Sequence, residues 1–395
     1  MARLFMFEKP LGMRDTLPNV YKAKRVLRET MMNEIERWGY EFIETPTLEY
    51  YETVGAASAI LDQQLFKLLD REGHTLVLRP DMTAPIARLA ASKLYTEGCP
   101  LRLAYAANVF RAQQREGGRP AEFEQVGVEC IGDGTMNADA EVISLMISAL
   151  KKVGLCQFTV AIGHIGYVNA LFFDILGNEK RVQTLRRFLY EKNYVGYREH
   201  VKSLSLSSID QDRLLQLLTL RGGEEAIDRA EELTQTEAGF KAVSELKQLW
   251  ANLQKYGVTE EIKIDLSLIS HMSYYTGVLF EVYAEKVGFL LGNGGRYDEL
   301  LEKFQRSSPA TGFSVRLDRL MEAIAERKRE EKRTCIIFSQ ERFSEAFTLA
   351  KEKREQGEHV VLQHIAGVRD MDRYTAMFDE VNYLLGKAGK DEPSC

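Results

Sequence analysis

The chain has 395 residues, 45% hydrophobic and 28% charged, with a net charge of −6. That length and composition suit a globular protein of two or three units, and no run of eighteen apolar residues suggests a membrane span. The negative balance argues against broad non-specific nucleic-acid binding. Five scattered cysteines form no CxxC pair, and the six histidines form no HExxH or HxxxH. A disulfide framework, a metal site and a resident cofactor are therefore not expected, and a reduced, cytoplasmic setting is. The opening MARLFMFEKPLGMRD lacks the apolar stretch of a signal peptide.

In chain order, residues 20–38 put Val26, Leu27, Met31, Ile35 and Trp38 at helical spacing, and Gly39 follows as a stop. YEFIETP reads as a short strand closed by Pro46, HTLVLRP (74–80) as another, and TAPIARLAASKLY (83–95) as a helix. Residues 101–134 contain two alternating runs around the polar QQREGGRPA, which predicts two antiparallel strands joined by a long loop. Residues 138–153 predict an amphipathic helix and CQFTVAIG (156–163) a strand. A helical block, about 165–256, follows and reads as an insertion. EIKIDLSLI and YYTGVLFEVYA then predict strands joined through SHMS as a hairpin. GFLLGNGGRYDELLEKF reads as strand, glycine turn and helix, and TGFSVRLDRLMEAIAERKREEK as strand and helix. The charged end of that helix suggests a boundary near 325. Residues 326–395 predict a small α/β unit. The class is α+β: a mixed, mainly antiparallel sheet flanked by helices, since the long strands come from hairpins rather than βαβ repeats.

Gln125 and Glu129 lie two and six residues along one strand face from Phe123, with Gly127 between them leaving room against the sheet. A carboxylate and an amide beside a gap suit a ligand with several hydrogen-bond donors, although a solvated face gives the same alternation. Tyr275 and Tyr297 suit a polar ligand or a core with wet tips. GNGGRYD lacks the Gly-Lys-Ser/Thr of a phosphate loop and fits a turn better.

GMRDTLP, LRPDMTAP, the FR…FEQVGVE hairpin, YYTGVLFE, GGRYDEL and TGFSVRLDRL occur in an order that resembles the class II aminoacyl-tRNA synthetase core, and histidyl-tRNA synthetase in particular. The resemblance covers roughly residues 8–325. It implies a six- or seven-stranded antiparallel sheet and dimerisation through the first motif. It implies that Asp81, Thr83 and Gln125 hold a histidine α-amino group, and that Glu129 and Tyr275 hold the imidazole. Tyr274 and Tyr297 line the pocket. Arg111 matches the arginine on the carboxylate and ATP phosphate, and Arg319 the second ATP arginine. Asp81 stands where the family commonly has glutamate.

The departures from that family fall on the adenylating groups. Ser270 occupies the place of an arginine that offsets charge during adenylation, a loss worth about 10² to 10³ in rate. Gln113 replaces a glutamate for the adenine amino group, and Arg316 replaces a customary glycine where ATP approaches. About seventy residues follow position 325, against roughly 90 to 100 for an anticodon-binding domain. Arg111, Gln113 and Arg319 would thus be a vestigial nucleotide site. A kept amino-acid pocket without catalytic groups resembles the regulatory subunits of ATP phosphoribosyltransferase. That likeness implies no catalysis and no tRNA charging. It implies a short-form catalytic partner subunit, free histidine as ligand, and a self-dimer within a hetero-oligomer such as a hetero-octamer. The alternatives are a divergent histidine-activating ligase or histidyl-tRNA synthetase, and a tRNA-binding adaptor without catalysis.

Overall fold

The structure, a computed structural model, describes residues 8–112, 120–270, 274–324 and 332–386. Its contacts divide the chain into two units, Met1–Ala325 and Glu326–Cys395.

The first unit begins with helix α1 (Pro18–Arg37), which has proline in its first turn and Leu27, Met31 and Ile35 buried along one stripe. Burying each such side chain stabilises by about 1.5–3 kcal/mol. Gly39, at φ +80°, then turns the chain into β1 (Glu41–Phe42) and β2 (Leu48–Tyr50). Strands β3 (Lys67–Leu69) and β4 (Thr75–Leu78) join β2 in a small antiparallel sheet of order β2-β4-β3. Helix α2 (Thr83–Leu89) runs into one wide turn, Ala90–Leu94, so regular helix ends earlier than the sequence periodicity suggests.

Next come β5 (Leu101–Phe110) and β6 (Glu122–Ile131), paired antiparallel over their full length as expected. Helix α3 (Met136–Lys152) and strand β7 (Phe158–His164) follow. Six helices then span Ile165–Tyr256: α4 (Ile165–Leu176), α5 (Glu179–Tyr190), α6 (Tyr194–Ser203), α7 (Ser208–Gln216), α8 (Glu224–Leu233) and α9 (Glu237–Tyr256). A two-residue strand, β8 (Arg221–Gly222), interrupts them. The sheet resumes with β9 (Ile262–Asp265), β10 (Val278–Ala284), β11 (Leu290–Arg296) and β12 (Ala310–Arg316), and α10 (Leu317–Ala323) closes the unit.

The main sheet has nine strands in the order β1-β5-β6-β12-β11-β10-β7-β9-β8. It is mixed and mainly antiparallel, with parallel pairs only at β1·β5 and β7·β9. Two expectations are corrected here. β9 and β10 form no hairpin, because β7 lies between them, parallel to β9 and antiparallel to β10. The Asp265 carboxylate accepts from the Ser267 backbone amide (3.0 Å) and hydroxyl (2.6 Å), turning the chain off the sheet after β9. The GNGG run is not a turn but the body of β11. A Cβ on Gly294 would lie 2.3 Å from the Gly312 carbonyl oxygen and 2.4 Å from the Phe280 ring, so glycine is what lets these strands and that ring approach.

β6 is buried on both faces. Helices α1 and α3 cover the face carrying Val126, Val128 and Cys130. Glu124 on that side is buried and is satisfied by Lys24 (2.8 Å) and Arg28 (3.1 Å) of α1. The opposite face, with Gln125 and Glu129, is left for the site. Among the described residues no helix is long and apolar enough to cross a membrane.

The second unit has β13 (Arg333–Phe338), α11 (Phe343–Glu355), β14 (His359–His364), α12 (Met371–Thr375) and β15 (Glu380–Leu384). Its three parallel strands run in the order β14-β13-β15, with Ile336, Phe338, Val360, Ala346 and Ala350 as core.

Candidate functional site

A cleft of about 390 Å³, open mouth included, lies on the face of the main sheet that carries Gln125 and Glu129. Asp81, Thr83, Arg111, Gln125, Glu129, Tyr274, Tyr275 and Tyr297 all line it. Every residue expected to face an amino-acid ligand is therefore brought to one place from α2, β6 and the segments beside β10 and β11.

Glu129 is the best-held group. It is 2% exposed. One carboxyl oxygen accepts from the Thr83 hydroxyl at 2.8 Å and the other from the Tyr297 hydroxyl. Burial, with the Asp81 charge adding to it, pushes its pKa up to about 8, against the pull of those two hydrogen bonds. Gly312 makes this placement possible: a Cβ there would sit 2.0 Å from a Glu129 carboxyl oxygen.

Asp81 precedes α2, and its carboxylate accepts from the Ala84 amide (3.0 Å) and from the Ser58 hydroxyl. The acid is thereby aimed and fixed beside the helix N-terminus. Gln125 donates to the Ser314 hydroxyl at 3.2 Å. Tyr274 stacks edge-on against both Tyr275 and Tyr297, with centroids 5.0 and 5.7 Å apart. Burial raises the pKa of all three tyrosines, so they serve as neutral hydrogen-bonding groups. Arg111 donates to the Pro80 carbonyl at 2.8 Å; burial lowers its pKa, and the nearby Asp81 charge opposes that shift.

The space at Gly127 is not left for a ligand. A Cβ there would meet the Phe313 carbonyl oxygen at 2.2 Å and the Tyr105 hydroxyl oxygen at 2.5 Å. Tyr105, the cross-strand partner of Gly127, fills it and itself lines the cleft. Tyr105, Asn293 and Ser314 were not foreseen as site residues. The pairing of a large side chain opposite glycine in the predicted hairpin was the signal for Tyr105. Asn293 and Ser314 face each other across β11 and β12, a register the sequence does not disclose.

Of the nucleotide-side residues, Arg111 lines the cleft and Arg319 does not. Arg319 is outside the lining and donates to the Leu290 carbonyl at 2.5 Å, with its guanidinium 5.5 Å from the Phe289 ring centroid. Arg316 lies 3.7 Å from the Phe123 ring centroid and pairs with Asp318 at 2.8 Å. Gln113 lies outside the described residues, as do His271, Met272 and Ser273; Ser270 is described and half-buried.

Comparison with known proteins gives two family matches: residues 12–320 match "Histidyl-tRNA synthetase", and residues 335–386 match "Histidyl-tRNA synthetase HisZ, C-terminal domain". An ATP phosphoribosyltransferase regulatory subunit of Geobacillus thermodenitrificans is 69% identical over 389 residues, covering 98% of this chain and 99% of the relative. The chain belongs to the ATP phosphoribosyltransferase regulatory subunit family. Its fold agrees with solved members. A crystal structure from Bacillus halodurans, described as an ATP phosphoribosyltransferase regulatory subunit/histidyl-tRNA synthetase, is 62% identical. It superposes with a TM-score of 0.92 over 98% of this chain and 100% of that one. A histidyl-tRNA synthetase from a Nostoc species, at 20% identity and TM-score 0.78, covers 94% of this chain and 88% of that one and shares the class II fold. As a regulatory-subunit family member, the chain carries the synthetase-like core in a non-catalytic paralogue, the role expected from the adenylation departures.

Proposed function

We propose that the cleft binds free histidine and that the chain acts as the sensing subunit of a hetero-oligomer with a short-form ATP phosphoribosyltransferase catalytic subunit, in the cytoplasm. The observation that carries the ligand reading is the buried Glu129 carboxyl, held by Thr83 and Tyr297 and sharing one cleft with Tyr275. An imidazole offers one N–H donor and one acceptor nitrogen. Glu129 takes the donor and Tyr275 meets the other nitrogen. A bound ammonium beside Asp81 and Gln125 supplies positive charge, so binding favours the ionised form of Glu129 and releases its proton.

The same geometry speaks against adenylation. Arg316 occupies one face of Phe123, and Arg319 donates to the Leu290 carbonyl and is not among the residues lining the cleft. The match of residues 335–386 to the HisZ C-terminal domain favours the regulatory role over an active ligase. Sensing requires that histidine bind one state of the assembly better than another; a difference of about 1–3 kcal/mol gives useful feedback.

The test mixes this chain with the purified catalytic subunit and follows phosphoribosyl-ATP formation with and without histidine. Activity is expected to require the chain, and histidine is expected to inhibit only the complex. Full activity and unchanged histidine inhibition without the chain would sink the proposal, as would histidine-dependent ATP–pyrophosphate exchange by the chain alone.

A further inference from the structure

We infer that Asn293 is a positioning residue that fixes Tyr275 as a hydrogen-bond donor toward the cleft, so that the site selects a ring bearing an acceptor nitrogen. This rests on the histidine reading above and deepens it. A tyrosine hydroxyl has one proton and two lone pairs, and alone it can present either to a ligand. Here the Asn293 side-chain amide Nδ2 donates to the Tyr275 hydroxyl oxygen at 3.3 Å. With that lone pair engaged from β11, the hydroxyl turns its proton elsewhere, and both Tyr275 and Asn293 line the cleft.

Asn293 is well placed to hold this orientation. It sits mid-strand in β11, flanked in register by Glu281 of β10 and Ser314 of β12, and Gly292 and Gly294 on either side allow close strand approach. In the same cleft, Glu129 receives two hydroxyl protons and is organised as an acceptor. One group therefore donates and the other accepts. A neutral imidazole in a single tautomer satisfies both. A ring with an N–H but no acceptor nitrogen leaves the Tyr275 proton unpaired, and leaving a polar group unpaired is what gives such sites their discrimination.

The experiment is calorimetry on the full chain with histidine and with the two pyrrolylalanine isomers, each of which keeps one ring N–H and replaces the acceptor nitrogen by C–H. Wild type should favour histidine over the better isomer by about tenfold or more. Asn293→Asp offers Tyr275 an acceptor and turns its lone pairs toward the ligand, so that preference should shrink by about tenfold. Asn293→Ala should shrink it less, about threefold. In the Tyr275→Phe background, Asn293→Ala should leave the preference unchanged, an outcome that mere loosening of β11 would not give. Thermal melting checks folding; should Asn293→Asp misfold against Glu281, the Ala variant and the Tyr275→Phe background carry the test. An unchanged preference in the Asn293 variants, with histidine still bound, overturns the inference and leaves the histidine reading standing. Absence of histidine binding by wild type overturns both.

Discussion

The sheet face that carries Glu129 has two sides of opposite character: the cleft itself and, outside its lining, the surroundings of Phe123. On the Glu129 side, polar groups from α2, β6 and the Tyr297 segment converge on a gap: Thr83, Tyr297 and Gln125 are each hydrogen-bonded and still line it. On the Phe123 side, the protein's own side chains occupy the space. Arg316 covers the ring and is neutralised by Asp318, and Arg319 is bonded to a backbone carbonyl. A binding site needs concave space and polar groups left with capacity for a ligand. The first side has both, whereas the second has satisfied its charges internally. Recognition and reaction can thus be separated within one sheet by a few side chains, without altering the fold.

The largest expected effect comes from breaking the first side. Glu129→Ala removes the acceptor and leaves Thr83 and Tyr297 without their shared partner. Histidine affinity should fall by about 1.5–3 kcal/mol, on the order of tenfold to more than a hundredfold, by calorimetry. In the mixed-subunit assay the same variant should support catalysis but lose histidine inhibition. Equal affinities for the two proteins would show that the ligand sits elsewhere.

The same carboxyl gives a pH signature. Its folded pKa, about 8, lies above the ordinary glutamate value of 4.5. The folded state therefore prefers the proton. Stability is fully present below the unfolded pKa and is lost as pH rises through the folded one. Denaturant unfolding of the ligand-free chain should show stability declining between about pH 5 and 8. Glu129→Gln, which cannot ionise, should flatten that decline, and an identical slope in both proteins would contradict the burial argument.

A smaller effect should follow from Gly312→Ala. Its new Cβ meets both a Glu129 carboxyl oxygen at 2.0 Å and the Val128 carbonyl at 2.4 Å. The acid must move off Tyr297, and histidine affinity should drop by about tenfold. The chain should also lose about 1–3 kcal/mol of stability through overpacking. A variant that binds as wild type does would mean that the Glu129 placement is not what the ligand reads.

Much of this was legible in the sequence, for identifiable reasons. The β5–β6 hairpin announced itself by alternation, and α1 by its Leu27, Met31 and Ile35 stripe. Gln125 and Glu129 shared a face by simple period-two counting. Long-range strand order was not legible. Nothing in residues 261–284 says that β7, about a hundred residues earlier, will separate β9 from β10. The glycines of β11 looked like a turn because glycine marks both chain reversal and close strand approach, and only the neighbour Gly312 decides between them. Arg319 was assigned by position along the motif, yet its side chain follows a backbone carbonyl available only in the folded sheet.

The smallest effect on histidine should come from Arg316→Gly, and that smallness is the sharpest test of the two-sided sheet face. Arg316 touches the Phe123 ring and Asp318, and it is not among the residues lining the cleft. Removing it should leave histidine affinity within about twofold of wild type. Stability should fall by about 1 kcal/mol, from the lost cation–π contact and a partly exposed ion pair. The variant should, however, uncover one face of a ring that is 4% exposed, and aromatic faces are stacking platforms. A fluorescent adenine nucleotide, silent with wild type, should then bind Arg316→Gly weakly, and Asp318→Asn alone should not reproduce this. If Arg316→Gly instead lowers histidine affinity as far as Glu129→Ala does, the two sides act as one unit and the separation of recognition from reaction fails.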